Sequence, residues 1–146
     1  MKVRPSVVII ENDCVLLMRY RYGQTDVYNL PGGNVDKSET LAQTVVRELQ
    51  EELGIGIAVE KMILTGEVLM PAPKNDVLHC VFLAKITQGK PTLNSVETSA
   101  LEIVWKPINT LKDLDMYPNV GAELERFFLE DVGFQYIGKV EQEWYG

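Results

Sequence analysis

Basic residues are scarce in this chain. Fourteen Lys and Arg face 21 Asp and Glu across 146 residues, for a net charge of −7. That sign repels a phosphodiester backbone, so duplex nucleic acid is excluded as a partner held by charge. A phosphate-bearing ligand would need cations brought in with it. Long apolar runs are missing too: Val7-Val8-Ile9-Ile10 and Val15-Leu16-Leu17-Met18 stop far short of the roughly 18 residues a spanning helix requires, which excludes a membrane helix. Met1 to Pro5 lacks the layout of a secretory signal, and the expected address is the cytoplasm. The two cysteines, Cys14 and Cys80, lie far apart and outside any C-x-x-C spacing. They are expected to be reduced thiols buried in strands, not ligands of a zinc knuckle. No repeat, linker or low-complexity stretch divides the sequence. A composition of 46% hydrophobic and 24% charged residues is enough for one core, so a single domain over 1–146 is expected.

The apolar patterning predicts strands over 5–10 and 14–20 joined by an Asn/Asp turn, a short strand at 27–30, longer strands over 57–70 and 76–86, and another over 101–108 around Trp105. Thr40 and Gln43 have the spacing of a capping box. Leu41, Val45, Leu49 and Leu53 then recur at helical intervals up to Gly54, a left-handed stop. A second amphipathic helix is predicted over 120–129. Strands outnumber helices and alternate with them irregularly, which suggests a mixed sheet with helices packed on it. The tail from Gly133 carries Phe134, Tyr136, Ile137, Trp144 and Tyr145. It is expected to be buried against the domain or against a second subunit of a homodimer, because such a patch is rarely left open.

Chemistry concentrates on the first helix. At about 100° per residue, Glu48, Glu51 and Glu52 share roughly one third of its circumference. Glu48 and Glu52 stand four apart, a repulsive spacing, and all three crowd the C-terminal half, where the helix dipole disfavours negative charge. A solvated acidic face and a site for a hard divalent cation both remain open from the helix alone. The preceding Gly32-Gly33 lets backbone approach a ligand closely and offers a carbonyl oxygen.

Gly33, Glu39, Arg47, Glu48, Leu49, Glu51, Glu52, Gly54 and Ile55 form one string. It resembles the signature of the Nudix hydrolase family, G-x5-E-x7-R-E-U-x-E-E-x-G-U with U aliphatic, and it meets every fixed position. The resemblance implies an α/β/α sandwich around a mixed β-sheet. It also implies hydrolysis of a diphosphate linkage in a nucleoside diphosphate joined to another moiety, supported by Mg²⁺ or Mn²⁺. Carried over residue by residue, Glu48, Glu51 and Glu52 become metal ligands with the Gly32 carbonyl. Arg47 then orients the glutamates, and Glu39 ties the loop to the helix start. The base in such enzymes is a box glutamate (Glu51 or Glu52) or one from a later loop, here Glu97, with Glu102 as runner-up. An alternative function is a nucleotide sensor that keeps the fold without turnover, and the intact set of glutamates favours the enzyme.

Outside the box, Arg19, Arg21 and Lys74 are candidate phosphate contacts, and Tyr20, Tyr22 and Tyr28 candidate stacking partners for a base. The lone histidine, His79, reads as a hydrogen-bonded strand residue and not as a catalyst.

Overall fold

The computed structural model describes residues 1–145. Strands β1 (Lys2–Glu11) and β2 (Cys14–Tyr22) form a hairpin whose turn residues, Asn12 and Asp13, both adopt positive φ, the conformation a tight twisted hairpin requires and Asn and Asp tolerate. Strand β3 (Thr25–Asn29) returns antiparallel to β2, and helix α1 (Leu41–Leu53) follows the Pro31-Gly32-Gly33 loop. Thr40 caps α1 through the predicted reciprocal box with Gln43, and Gly54 ends it at φ 66°. Next come β4 (Gly56–Val68) and β5 (Val77–Gln88), β6 (Glu102–Pro107), a 3-10 helix (Ile108–Asp113), β7 (Met116–Tyr117), α2 (Gly121–Leu129) and β8 (Gln135–Lys139).

The sheet runs β7-β3-β2-β1-β5-β4-β8, with β6 also paired to β2. It is mixed: β1 and β5 are parallel, β4 and β5 antiparallel. Alternation along the strands divides the core into two layers. Val7, Ile9, Leu16 and Met18 face α1 through Val45, Leu49 and Leu53, whereas Val8, Val15 and Leu17 face Leu111, Val120 and Leu124 on the opposite side. Helices therefore cover both faces, which is the α/β/α sandwich expected. None of the helices is long and apolar enough to cross a membrane among the described residues. Cys14 and Cys80 are free thiols, the first half-buried and the second buried.

Strands β1 and β2 pair directly only at their hairpin end, Ile10 with Val15 and Glu11 with Cys14. Beyond it they diverge, and the segment after β3 fills the split. Val7 N–H donates to the Pro31 carbonyl at 2.9 Å and Gly33 N–H to the Pro5 carbonyl at 3.2 Å. The divergence opens the sheet where the Gly-Gly loop meets α1.

The tail departs from expectation. Residues 135–139 add β8 parallel to β4 at a sheet edge. Ile137 is half-buried and Val140 buried, but Phe134, Tyr136 and Trp144 stay 56%, 66% and 58% exposed. An edge strand sends alternate side chains to opposite faces, so it cannot bury a whole aromatic cluster at once.

Candidate active site

Helix α1 delivers the three glutamates to the side facing the Gly-Gly loop, and Arg47 ties them together. Its guanidinium donates a fork to Glu39, Nε to Oε2 at 2.7 Å and Nη2 to Oε1 at 3.0 Å. Nη1 donates to Glu48 at 3.0 Å and to Glu51 at 3.3 Å, and Nη2 also reaches the Asn34 carbonyl at 3.1 Å. A planar five-donor group suits such convergence, and a lysine could not reproduce it. Glu39 is further held by the Thr44 hydroxyl and the Asp36 N–H. The Arg47 fork holds its carboxyl down to about 2, from an ordinary 4.5. Glu39 thus links the loop at Asp36 to α1 through Thr44 and Arg47.

Glu52 has no such cation. Burial first, and then the adjacent charge of Glu48, push its carboxyl up from 4.5 to about 7. Two carboxylates are held together without a full counter-charge, in an oxygen-rich setting that suits a hard divalent cation. The loop adds to this setting, because a Cβ on Gly33 would collide with the Glu48 carboxylate and one on Gly32 with the Pro5 and Ser6 backbone. Among the described residues no three acidic, His or Cys side chains already converge as a cage. Gly33→Ala should therefore displace Glu48, weakening any divalent-cation binding there and destabilising the fold by about 1–3 kcal/mol, the usual cost of forcing atoms into an occupied space. Metal titration by calorimetry and thermal melting would test both effects, and wild-type affinity in the variant would refute the close-approach argument.

The loop before β6 is stapled to the end of α1. Asn94 donates its backbone N–H to the Glu52 carbonyl at 2.9 Å and its side-chain amide to the Glu51 carbonyl at 3.2 Å. These bonds satisfy carbonyls that a helix C-terminus leaves open. Thr98 and Tyr20 share a hydroxyl–hydroxyl bond of 3.0 Å. Glu97, exposed in this loop, is thereby brought to the same end of α1 as Glu51 and Glu52. Glu102 is engaged elsewhere, accepting from Arg19 Nε at 3.1 Å.

A cavity of about 380 Å³ is lined by Arg4, Tyr22, Asn29, Met70, Tyr117 and Trp144 among others, and Arg4 connects it to the carboxylates because its charge acts on Glu52. Aromatic rings link the two regions: Tyr145 stacks on Tyr22 at 6.2 Å and Tyr22 on Tyr20 at 6.5 Å. The polar atoms Arg4 Nε and Asn29 Oδ1 are buried without a hydrogen-bond partner among the described residues.

Of the substrate contacts expected from the sequence, Tyr22 lines the cavity and the others turn to protein partners. Arg19 bonds Asp26 and Glu102, Arg21 lies 3.8 Å from Asp26, and Lys74 sits over the Trp144 ring. Tyr28 packs beneath Lys106. Arg4, Asn29 and Tyr117 also line the cavity, and nothing in their local sequence marks them for it. They meet only where β1, β3 and β7 come together at the cavity.

His79 is buried in β5 as expected, yet neither ring nitrogen has a hydrogen-bond partner among the described residues, which corrects the hydrogen-bonded reading. Its ring meets Tyr117 edge to face, with the ring centroids 5.1 Å apart. Burial, with Arg4 nearby, lowers its pKa from 6.5 to about 3. Between pH 4.5 and 6.5 the unfolded chain therefore binds a proton at this residue that the native state refuses, so stability rises with pH by up to about 1.4 kcal/mol per unit. Glu52 acts oppositely in the same window, since its native carboxyl keeps a proton that the unfolded chain has lost. Melting of metal-free protein should consequently be nearly flat from pH 4.5 to 6.5. It should rise with pH in Glu52→Gln and fall with pH in His79→Leu, and parallel profiles for all three proteins would refute these assignments.

With this geometry in place, comparison with known proteins is decisive. The NUDIX domain model matches residues 2–127. This chain belongs to the Nudix hydrolase family. A Mycobacterium tuberculosis protein named "Putative 8-oxo-dGTP diphosphatase 3" is 30% identical over 107 residues, covering 70% of this chain and 48% of that protein. The NAD-capped RNA hydrolase NudC of Salmonella typhi is 29% identical over 133 residues, covering 90% and 48% respectively. The chain thus spans about half the length of both relatives. Among solved structures, a Nudix hydrolase from Nitrosomonas europaea superposes with a TM-score of 0.73 at 18% identity, covering 91% of each chain. That match supports the Nudix sandwich as a fold.

Proposed function

We propose that this Nudix chain is a divalent-cation-dependent pyrophosphohydrolase that cleaves the diphosphate linkage of a nucleoside diphosphate joined to another group. The observation that carries the reading is the half-buried Glu48–Glu52 pair, with Glu48 packed against Gly33 and Glu52 within reach of the charge of Arg4, which lines the aromatic cavity. Glu48, Glu51, Glu52 and the Gly32 carbonyl would hold the metal, and an all-oxygen donor set favours Mg²⁺, with Mn²⁺ the nearest substitute. When bound, such an ion neutralises the diphosphate and lowers the pKa of a coordinated water.

The remaining work falls to the chain. Arg47 holds the carboxylates of Glu48 and Glu51 in place and offsets their mutual repulsion. Glu39 holds Arg47. Glu97, on the loop stapled to the end of α1, accepts the proton of the attacking water. The aromatic cavity receives the planar base and keeps water from it. A nucleoside joined to a polyphosphate is also what the names of both relatives share, 8-oxo-dGTP in one and NAD-capped RNA in the other.

The test is a hydrolysis screen over nucleoside triphosphates, oxidised nucleotides, ADP-ribose-like compounds, dinucleoside polyphosphates and capped nucleotides, with Mg²⁺ or with chelator, products being identified by mass spectrometry. Metal-dependent release of a nucleoside phosphate is expected. No turnover across the panel, or turnover indifferent to chelator, would overturn the reading.

A further inference from the structure

The acidic site poses a charge problem. A diphosphate must approach three glutamates on a chain of net charge −7, and most cations around the site are already engaged. Arg47 serves Glu39, Glu48 and Glu51, Arg19 serves Asp26 and Glu102, Arg21 faces Asp26, and Lys74 lies 3.2 Å from the centroid of the Trp144 ring.

Arg4 is different. It lines the aromatic cavity and forms no ion pair among the described residues. Its Nε is buried with no hydrogen-bond partner among them, a state that costs free energy unless a ligand supplies the acceptor. The guanidinium lies 5.7 Å over the face of Tyr117, a contact that supports the group without using its N–H donors. Its chain neighbour Pro5 accepts the Gly33 N–H, and Gly33 packs on Glu48, so Arg4 belongs to both the cavity and the carboxylate region.

We propose that Arg4 is a positioning residue that grips the phosphate attached to the nucleoside, and so decides which phosphorus of the substrate faces the glutamates. The assignment rests on the pyrophosphohydrolase reading above. A guanidinium fork matches two phosphate oxygens. Held from the cavity side, that phosphate cannot slide along the acidic face, and the nucleoside sits in the cavity in one register.

Two measurements test this separately from the enzymatic reading. In chelator, the binding of adenosine and guanosine 5′-monophosphates is compared with that of the matching nucleosides by calorimetry. Wild type should favour the monophosphate by about 10- to 100-fold, the scale of a charge-assisted hydrogen bond. Arg4→Met should abolish that preference while still binding the nucleoside, and Arg4→Lys should recover part of it. In steady state with the best compound of the screen, Arg4→Met should raise KM by a similar factor and lower kcat, and in H₂¹⁸O it should spread the label over both product phosphates where wild type labels one. A monophosphate preference that survives in Arg4→Met, or is absent from wild type, overturns the assignment of Arg4. Failure of wild type to hydrolyse any compound overturns the enzymatic reading, and the binding comparison still decides whether Arg4 recognises phosphate.

Discussion

Glu52→Gln is expected to lower kcat by on the order of 10²–10³-fold, the scale of removing one group that stabilises charge developing in the transition state, while leaving the fold intact. Glutamine keeps the volume and one oxygen but not the charge. The half-buried position beside Glu48 makes the second argument: in metal-free protein the pair repels, and burial opposes its ionisation. The same substitution should therefore be neutral or stabilising without metal, raising the melting temperature by about 2–4 °C for a gain near 1 kcal/mol after discounting for solvent screening. Normal turnover by the variant would remove Glu52 from the metal site. A clear fall in metal-free melting temperature would show that the carboxyl has a structural task.

Glu97→Gln is expected to lower kcat by about 10²-fold or more, within the range of general-base catalysis, with KM little changed. A box glutamate bound to a cation has its lone pairs engaged, making it a weaker base than an unligated carboxylate nearby. Asn94 fastens the loop of Glu97 to the Glu51 and Glu52 carbonyls, so such a carboxylate stands at the right end of α1. Glu102→Gln should leave kcat nearly unchanged, because the Glu102 carboxylate is engaged by Arg19. The reverse ranking would transfer the role to Glu102, and two silent variants would return it to Glu48 or Glu51.

Much of the fold was legible because its signals are local. The capping box at Thr40, the left-handed Gly54, the Asn12-Asp13 turn and the alternation in β1 and β2 each depend on neighbours a few residues away. The 3-10 helix, the two-residue β7 and β8 carried no such signal. Strand β8 in particular is defined by the open edge of β4, on which it pairs. The tail was misread for the same reason: hydrophobic content predicts burial only on average, and a sheet edge decides which rings are covered.

The sequence by itself determined the chemistry of the helix face: which residue types stand at which spacing, the family they resemble, and the oxygen-donor character of the site. Spacing along a helix converts directly into a shared face, so the coincidence of Glu48, Glu51 and Glu52 needed no tertiary information. Only the tertiary structure decided which of four cations are engaged, and which is not, among the described residues. Arg19, Arg21, Lys74 and Arg4 are equivalent as letters. Asp26 and Glu102 engage the first two, Trp144 covers the third, and the divergence of β1 from β2 leaves the fourth in the cavity. Charge pairing depends on distances between residues remote in the chain, and the packing of the sheet sets those distances.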